Sequence, residues 1–127
     1  MKKILFLSMV LVLSFALVAC KEDKYKEEAG VYEAYFMSGD ISLSNFEYYS
    51  VELKANGDAI VKSKASTSGA SEYEAKATFE IEDGKIILVT RSGSQKITET
   101  YDYIDGEIHM INVEIGDISF TCKFRRN

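Results

Sequence analysis

A chain of 127 residues has room for one domain and one hydrophobic core. Its formal net charge is −5, with 20 acidic residues against 15 basic ones. That balance argues against nucleic acid as a partner and against electrostatic docking on anionic lipid.

The N-terminus comes first. Met1-Lys2-Lys3 precedes an apolar run from Ile4 to Leu13, and 16 of the first 20 residues are apolar. A basic start, a short apolar core and small residues ahead of a cut describe a secretory signal peptide, a signal helix removed on export. The run is too short for an ordinary transmembrane helix, and no later run approaches ~20 apolar residues. Leu17-Val18-Ala19-Cys20 then resembles the lipobox of bacterial lipoproteins. The resemblance implies that residues 1–19 are removed, that the Cys20 thiol is lipidated and that Cys20 becomes the first residue. An ordinary signal peptide with an incidental cysteine is the alternative. The mature chain, residues 20–127, would carry 13 basic and 20 acidic residues, a net charge of −7. Its diacylglycerol and fatty acyl chains, such as palmitate, would anchor it, extracytoplasmic, to the bacterial cell membrane or the outer membrane, since two chains hold stably where one is marginal.

Residues 20–29 hold the lipidated cysteine and a charged stretch, Lys-Glu-Asp-Lys-Tyr-Lys-Glu-Glu at 21–28, without helical or strand periodicity. This reads as a tether, with a first helical turn as the alternative. With Cys20 lipidated, Cys122 has no partner, so the domain is held by packing alone.

From residue 30 onward the pattern is that of strands. Tyr73, Ala75, Ala77, Phe79 and Ile81 alternate with Glu72, Glu74, Lys76, Thr78, Glu80 and Glu82, the signature of a half-buried strand. Asp83-Gly84 follows, a type I′ hairpin signal, and a strand from Lys85 to Arg91. The pattern recurs 22 residues later as Thr98 to Ile104, Asp105-Gly106 and Glu107 to Ile115. In this register Ile81 faces Ile86, Phe79 faces Leu88, Ala77 faces Thr90 and Tyr103 faces Ile108. The repeat also sets Tyr101 opposite Met110 and Glu99 opposite Asn112, unless a bulge near Met110 turns Asn112 and Glu114 outward. Elsewhere, strands are predicted at Val31 to Ser38 and at Tyr48 to Lys54, with Tyr49, Val51 and Leu53 inward. A turn at Asn56-Gly57-Asp58 pairs Leu53 with Val61. Past Gly116-Asp117 a last strand carries Ile118, Phe120, Cys122 and Phe124 on one face. Loops rich in Ser and Gly occupy 39–45, 66–71 and 92–94.

Eight strands joined by short turns predict an all-β fold, one antiparallel up-and-down barrel over residues 30–127, with a two-sheet sandwich as the alternative. Gly30-Val31-Tyr32, the repeated Asp-Gly hairpins and the basic end Phe124-Arg125-Arg126 make it resemble the lipocalin-like small lipoproteins of bacteria. Lipocalins open with Gly-x-Trp, the Trp closing the barrel floor beneath a late arginine. Tyr32 stands in that place here, and the domain is shorter than a full lipocalin. The resemblance implies a barrel that binds a ligand.

Little in the chain suggests catalysis, a cofactor or a metal centre. His109, the one histidine, lies on the face opposite Ile108 and Met110, and a single histidine makes a poor zinc site. Cys122 has the inward parity of a small hydrophobe. The glutamates at 72, 74, 80 and 82 form an outward stripe, and no loop has the dense Asp/Asn spacing of a calcium site. Tyrosine offers an apolar body with a polar tip, so Tyr48, Tyr49, Tyr101 and Tyr103 are candidates to line a pocket. Glu99 and Asn112 would be polar anchors at its mouth. The expectation is a non-enzymatic, monomeric binding module for a small apolar or amphipathic ligand or for a protein partner. The alternatives are a surface antigen with a solid barrel, and an inhibitor of an extracellular hydrolase that acts through Ser66–Ser71.

Overall fold

Side-chain alternation folds the chain into eight antiparallel strands, described over residues 24–127 in a computed structural model. The expected signal sequence and Cys20 lie outside the described residues. The strands are β1 (Gly30–Gly39), β2 (Phe46–Leu53), β3 (Asp58–Ala65), β4 (Tyr73–Glu82), β5 (Lys85–Ser92), β6 (Gln95–Ile104), β7 (Glu107–Ile115) and β8 (Ile118–Arg126). Each pairs with the next, and β1 pairs with β8, so the sheet closes into an up-and-down barrel rather than a sandwich. A single 3-10 turn, Leu43–Asn45, interrupts the first loop. The outward faces carry Glu33, Lys62, Glu74, Lys76, Glu80 and Lys85, unlike the apolar band of a membrane-spanning barrel.

The core lies in the lower half of the barrel, toward the Asp-Gly turns. Tyr32, Val51, Ile86, Ile108, Cys122 and Phe124 are fully buried there, and Leu53 and Ala59 nearly so. Burying such side chains is worth about 1.5–3 kcal/mol each. The floor is closed by the segment just before β1. Residues 24–28 form turns, and Tyr25 is buried with its ring 4.7 Å from that of Phe79. Its N–H donates to Ala55 O at 2.9 Å, and its hydroxyl accepts from Ile81 N at 3.3 Å. From Lys24 onward, therefore, the charged stretch docks as a plug. The apolar body of one tyrosine outweighs its charged neighbours. Beside it, Arg126 donates to Glu27 O at 2.6 Å and lies 5.3 Å over the Tyr32 ring. The Tyr32 hydroxyl bonds Glu28 O at 2.6 Å and shares a 2.7 Å bond with the Tyr103 hydroxyl.

The turns set the register. Asp83 and Asp105 both have φ of 53°, and Gly84 and Gly106 have φ of 73° and 76°, so both Asp-Gly pairs make left-handed two-residue turns. Ile81 pairs with Ile86, Phe79 with Leu88, Ala77 with Thr90 and Tyr103 with Ile108, as the sequence predicts. Replacing Gly84 or Gly106 by valine should cost about 1–2 kcal/mol through left-handed strain, read as a lower denaturant midpoint. Unchanged midpoints in both variants would contradict the role of these turns.

One predicted register is off. Leu53 pairs with Ala59, and Val61 with Val51. Gly57 (φ 95°) ends the three-residue turn instead of centring it, and Asn56 Oδ1 accepts from Asp58 N at 3.0 Å.

The second repeat departs further. The β6–β7 ladder holds only Asp102–Ile104 against Glu107–His109. The expected pairs Tyr101–Met110 and Glu99–Asn112 do not form. A bulge between Met110 and Val113 puts Asn112 at φ 52° and hands its N–H to Thr121 Oγ1 at 3.1 Å. β7 thus follows β8 and parts from β6. The barrel is closed below and has an open seam above.

Candidate functional site

The hollow part of the molecule is the mouth, at the end opposite the floor. A cavity of about 260 Å³ lies there. Its wall is apolar, from Val61, Ala75, Leu88, Met110, Val113, Ile115 and Phe120. Its polar groups are Tyr49, Tyr73, Thr90, Glu99 and Tyr101. They converge because residues on one strand face repeat every second position. Thr90 faces inward on β5, and Glu99 and Tyr101 on β6, each opposite an apolar partner.

Tyr49 is held by aromatic packing, its ring 5.0 Å from Phe124 and 5.3 Å from Phe46. Burial, and after it the proximity of Cys122 and Glu99, pushes its hydroxyl up to about 12. The Tyr101 hydroxyl donates to Glu99 Oε2. Burial first, then that hydrogen bond, holds the Tyr101 proton well above the ordinary tyrosine range. Both phenols are neutral donors at physiological pH, as an unperturbed phenol also is.

The seam extends the site sideways. A groove of about 350 Å³ on the outer wall between β6 and β7 shares Glu99, Tyr101 and Val113 with the mouth cavity. Tyr73, Ile97 and Ile115 are 59%, 49% and 63% exposed around the rim.

Of the residues singled out in the sequence, the structure brings Tyr49, Glu99 and Tyr101 together. Tyr103 is not with them. Its hydroxyl is spent on Tyr32 at the floor, because the strand runs from mouth to floor between Glu99 and Tyr103. Asn112 sits in the bulge and lines the outer groove instead of the cavity. Tyr48 faces outward and donates to Glu72, which raises its own proton affinity to about 12. Tyr73, Phe120 and Ile115 complete the cavity and went unselected. Tyr73 has the inward parity of Ala75 and Ala77, which was the available signal.

His109 is less free than an outward position suggests. Its Nε2 lies 2.9 Å from Glu107 Oε1, which also accepts from the Tyr35 hydroxyl. Those two bonds, Tyr35 first, pull the Glu107 carboxyl below its ordinary range. Arg125 lies 4.5 Å over the Tyr35 ring. The network ties β1 to β7 across β8. Among the described residues no group of three or more His, Cys, Asp or Glu side chains is placed to hold a metal ion. The Ser66–Ser71 loop is fastened at its start, Ser66 N donating to Asn45 O at 3.0 Å and Ser66 Oγ to Ser44 O at 2.7 Å. No family model, curated protein or solved structure matches this chain.

Proposed function

We propose that the chain is a lipid-anchored, non-enzymatic binding barrel of the bacterial envelope, which holds a small amphipathic ligand in its mouth. The observation that carries this is the half-hollow interior. The lower half is filled by its own side chains, whereas the upper half keeps about 260 Å³ between apolar walls and five converging polar residues. That volume is below the roughly 300–1,000 Å³ typical of drug-sized ligands. It is above the ~150 Å³ that accepts benzene. A ligand of one ring, or a short chain with a polar head, fits. The Gly30-Val31-Tyr32 opening and Arg126 over Tyr32 support a lipocalin-like ancestry. The exposed rim of Tyr73, Ile97 and Ile115 favours a second reading, a protein partner seated over the mouth.

The binding reading is tested at Glu99. Glu99 is exposed at the mouth, so losing its carboxylate costs the fold little. Glu99→Leu should therefore keep the unfolding midpoint while weakening an amphipathic probe by about tenfold, the loss of one charge-assisted hydrogen bond. Equal probe binding by variant and wild type, measured calorimetrically, would return Glu99 to a rim position without a role. Membrane attachment is a separate matter, resting on Leu17-Val18-Ala19-Cys20. Cys20→Ser should shift the protein from the membrane fraction to the soluble one. A lipid-free mature N-terminus beginning elsewhere in the wild type would rule out the anchor.

A further inference from the structure

We infer that the ligand held in the mouth carries a cationic amine head on its apolar body, and that a carboxylate ligand is excluded. The inference rests on the binding role proposed above and narrows it to one chemical class.

The argument is one of charge and hydrogen-bond capacity. None of the residues lining the cavity is Lys, Arg or His, and the one ionisable carboxylate among them is Glu99. Glu99 Oε2 accepts from Tyr101, and among the described residues no other donor reaches this carboxylate. An ionised carboxylate has about four acceptor positions and no donor, so it has room for N–H groups and none for a second anion. An anionic head at the mouth would face the exposed carboxylate of Glu99 with no cation among the lining residues to offset the repulsion.

The neighbours agree. Tyr49 and Tyr101 are neutral phenols at pH 7, so neither supplies a negative charge of its own. The Tyr49 hydroxyl lines the cavity with a lone pair to offer an N–H donor. The rings of Tyr49, Tyr101 and Phe120 add π-faces that attract an ammonium and give an anion nothing. The seam brings the outer groove up to Glu99 itself, so the head can reach the carboxylate from the side while the body settles among Leu88, Met110 and Val113.

Three probes of one size separate the possibilities: 2-phenylethylamine, 2-phenylethanol and phenylacetate, titrated calorimetrically into the full-length protein at pH 7. The amine should bind at least about tenfold tighter than the alcohol, with phenylacetate weakest. In Glu99→Gln, which keeps the size and the acceptor, the amine should fall to within about twofold of the alcohol. Phenylacetate binding as tightly as the amine, or an amine preference that survives Glu99→Gln, would overturn the amine assignment and leave the binding barrel standing. No binding by any of the three would remove the binding reading itself, and the amine with it.

Discussion

Tyr32→Ala should cost about 3–5 kcal/mol, the usual loss on truncating a fully buried aromatic side chain. That is a large share of the ~5–15 kcal/mol by which a domain of this size is stable. Three things are lost together. The side chain is fully buried and fills the centre of the floor. Its hydroxyl satisfies Glu28 O and the Tyr103 hydroxyl, leaving both unpaired when it goes. Its ring is the surface under Arg126, whose guanidinium holds the segment before β1 through Glu27 O. Tyr32→Phe separates these effects, since it keeps the ring and loses only the hydroxyl, at about 1–3 kcal/mol. Denaturant midpoints should fall in the order wild type, Tyr32→Phe, Tyr32→Ala. A Tyr32→Ala midpoint within about 1 kcal/mol of wild type would show that the plug from Lys24 closes the floor unaided.

How much of this was legible in the sequence depends on which interactions set each element. The β4–β5 hairpin was legible to the residue pair, because Asp83-Gly84 forces the turn and a one-residue slip would expose the whole apolar face. The β6–β7 hairpin begins with the same chemistry and agrees for three pairs. It then fails, because Asn112 adds a residue that β8 accommodates and β6 does not. The parity of Ile111, Val113 and Ile115 hinted at that bulge, yet nothing local says which neighbour β7 will follow. Tyr25 was hidden for another reason. A single aromatic amid charges has no periodicity, and its burial is decided by Phe79, 54 positions away.

The candidate site divides along the same line. Inward parity on β2 and β6 placed Tyr49, Glu99 and Tyr101 on the cavity side, since alternation is a property of the strand itself. Depth along the barrel axis is not. Tyr103 shares the parity of Tyr101, but it lies one inward position nearer the turn and belongs to the floor. Parity alone separates inside from outside; telling the filled half from the hollow one needs the sizes of the facing residues. Below, Ile86, Ile108 and Phe124 meet in the centre. Above, Ala75 and Thr90 are small, and β7 has swung toward β8.

The domain should lose stability steeply on the alkaline side, beginning near pH 9. Burial raises the Cys122 thiol from its ordinary 9.0 to about 12, and burial with neighbouring charge raises Tyr49 from 10.0 to about 12. Tyr32 and Tyr101 are also pushed up, again chiefly by burial. In each the folded pKa exceeds the unfolded one. Below pH 9 both states hold all of these protons, and the stabilisation is complete. Above it the unfolded chain releases the thiol proton first, then the phenolic ones near pH 10, while the folded barrel retains them. The unfolded state then binds fewer protons, so stability falls with rising pH by about 1.4 kcal/mol per pH unit for each such proton. The loss starts with one group between pH 9 and 10 and steepens once the tyrosines join. Cys122→Ala isolates the first step. It lowers stability at neutral pH through the small cavity it leaves, but the decline between pH 9 and 10 should flatten by about one proton. Urea midpoints at pH 7, 9, 10 and 11 measure both slopes. A wild-type midpoint that stays level from pH 8 to 11 would mean that water reaches these hydroxyls and the thiol in the folded barrel.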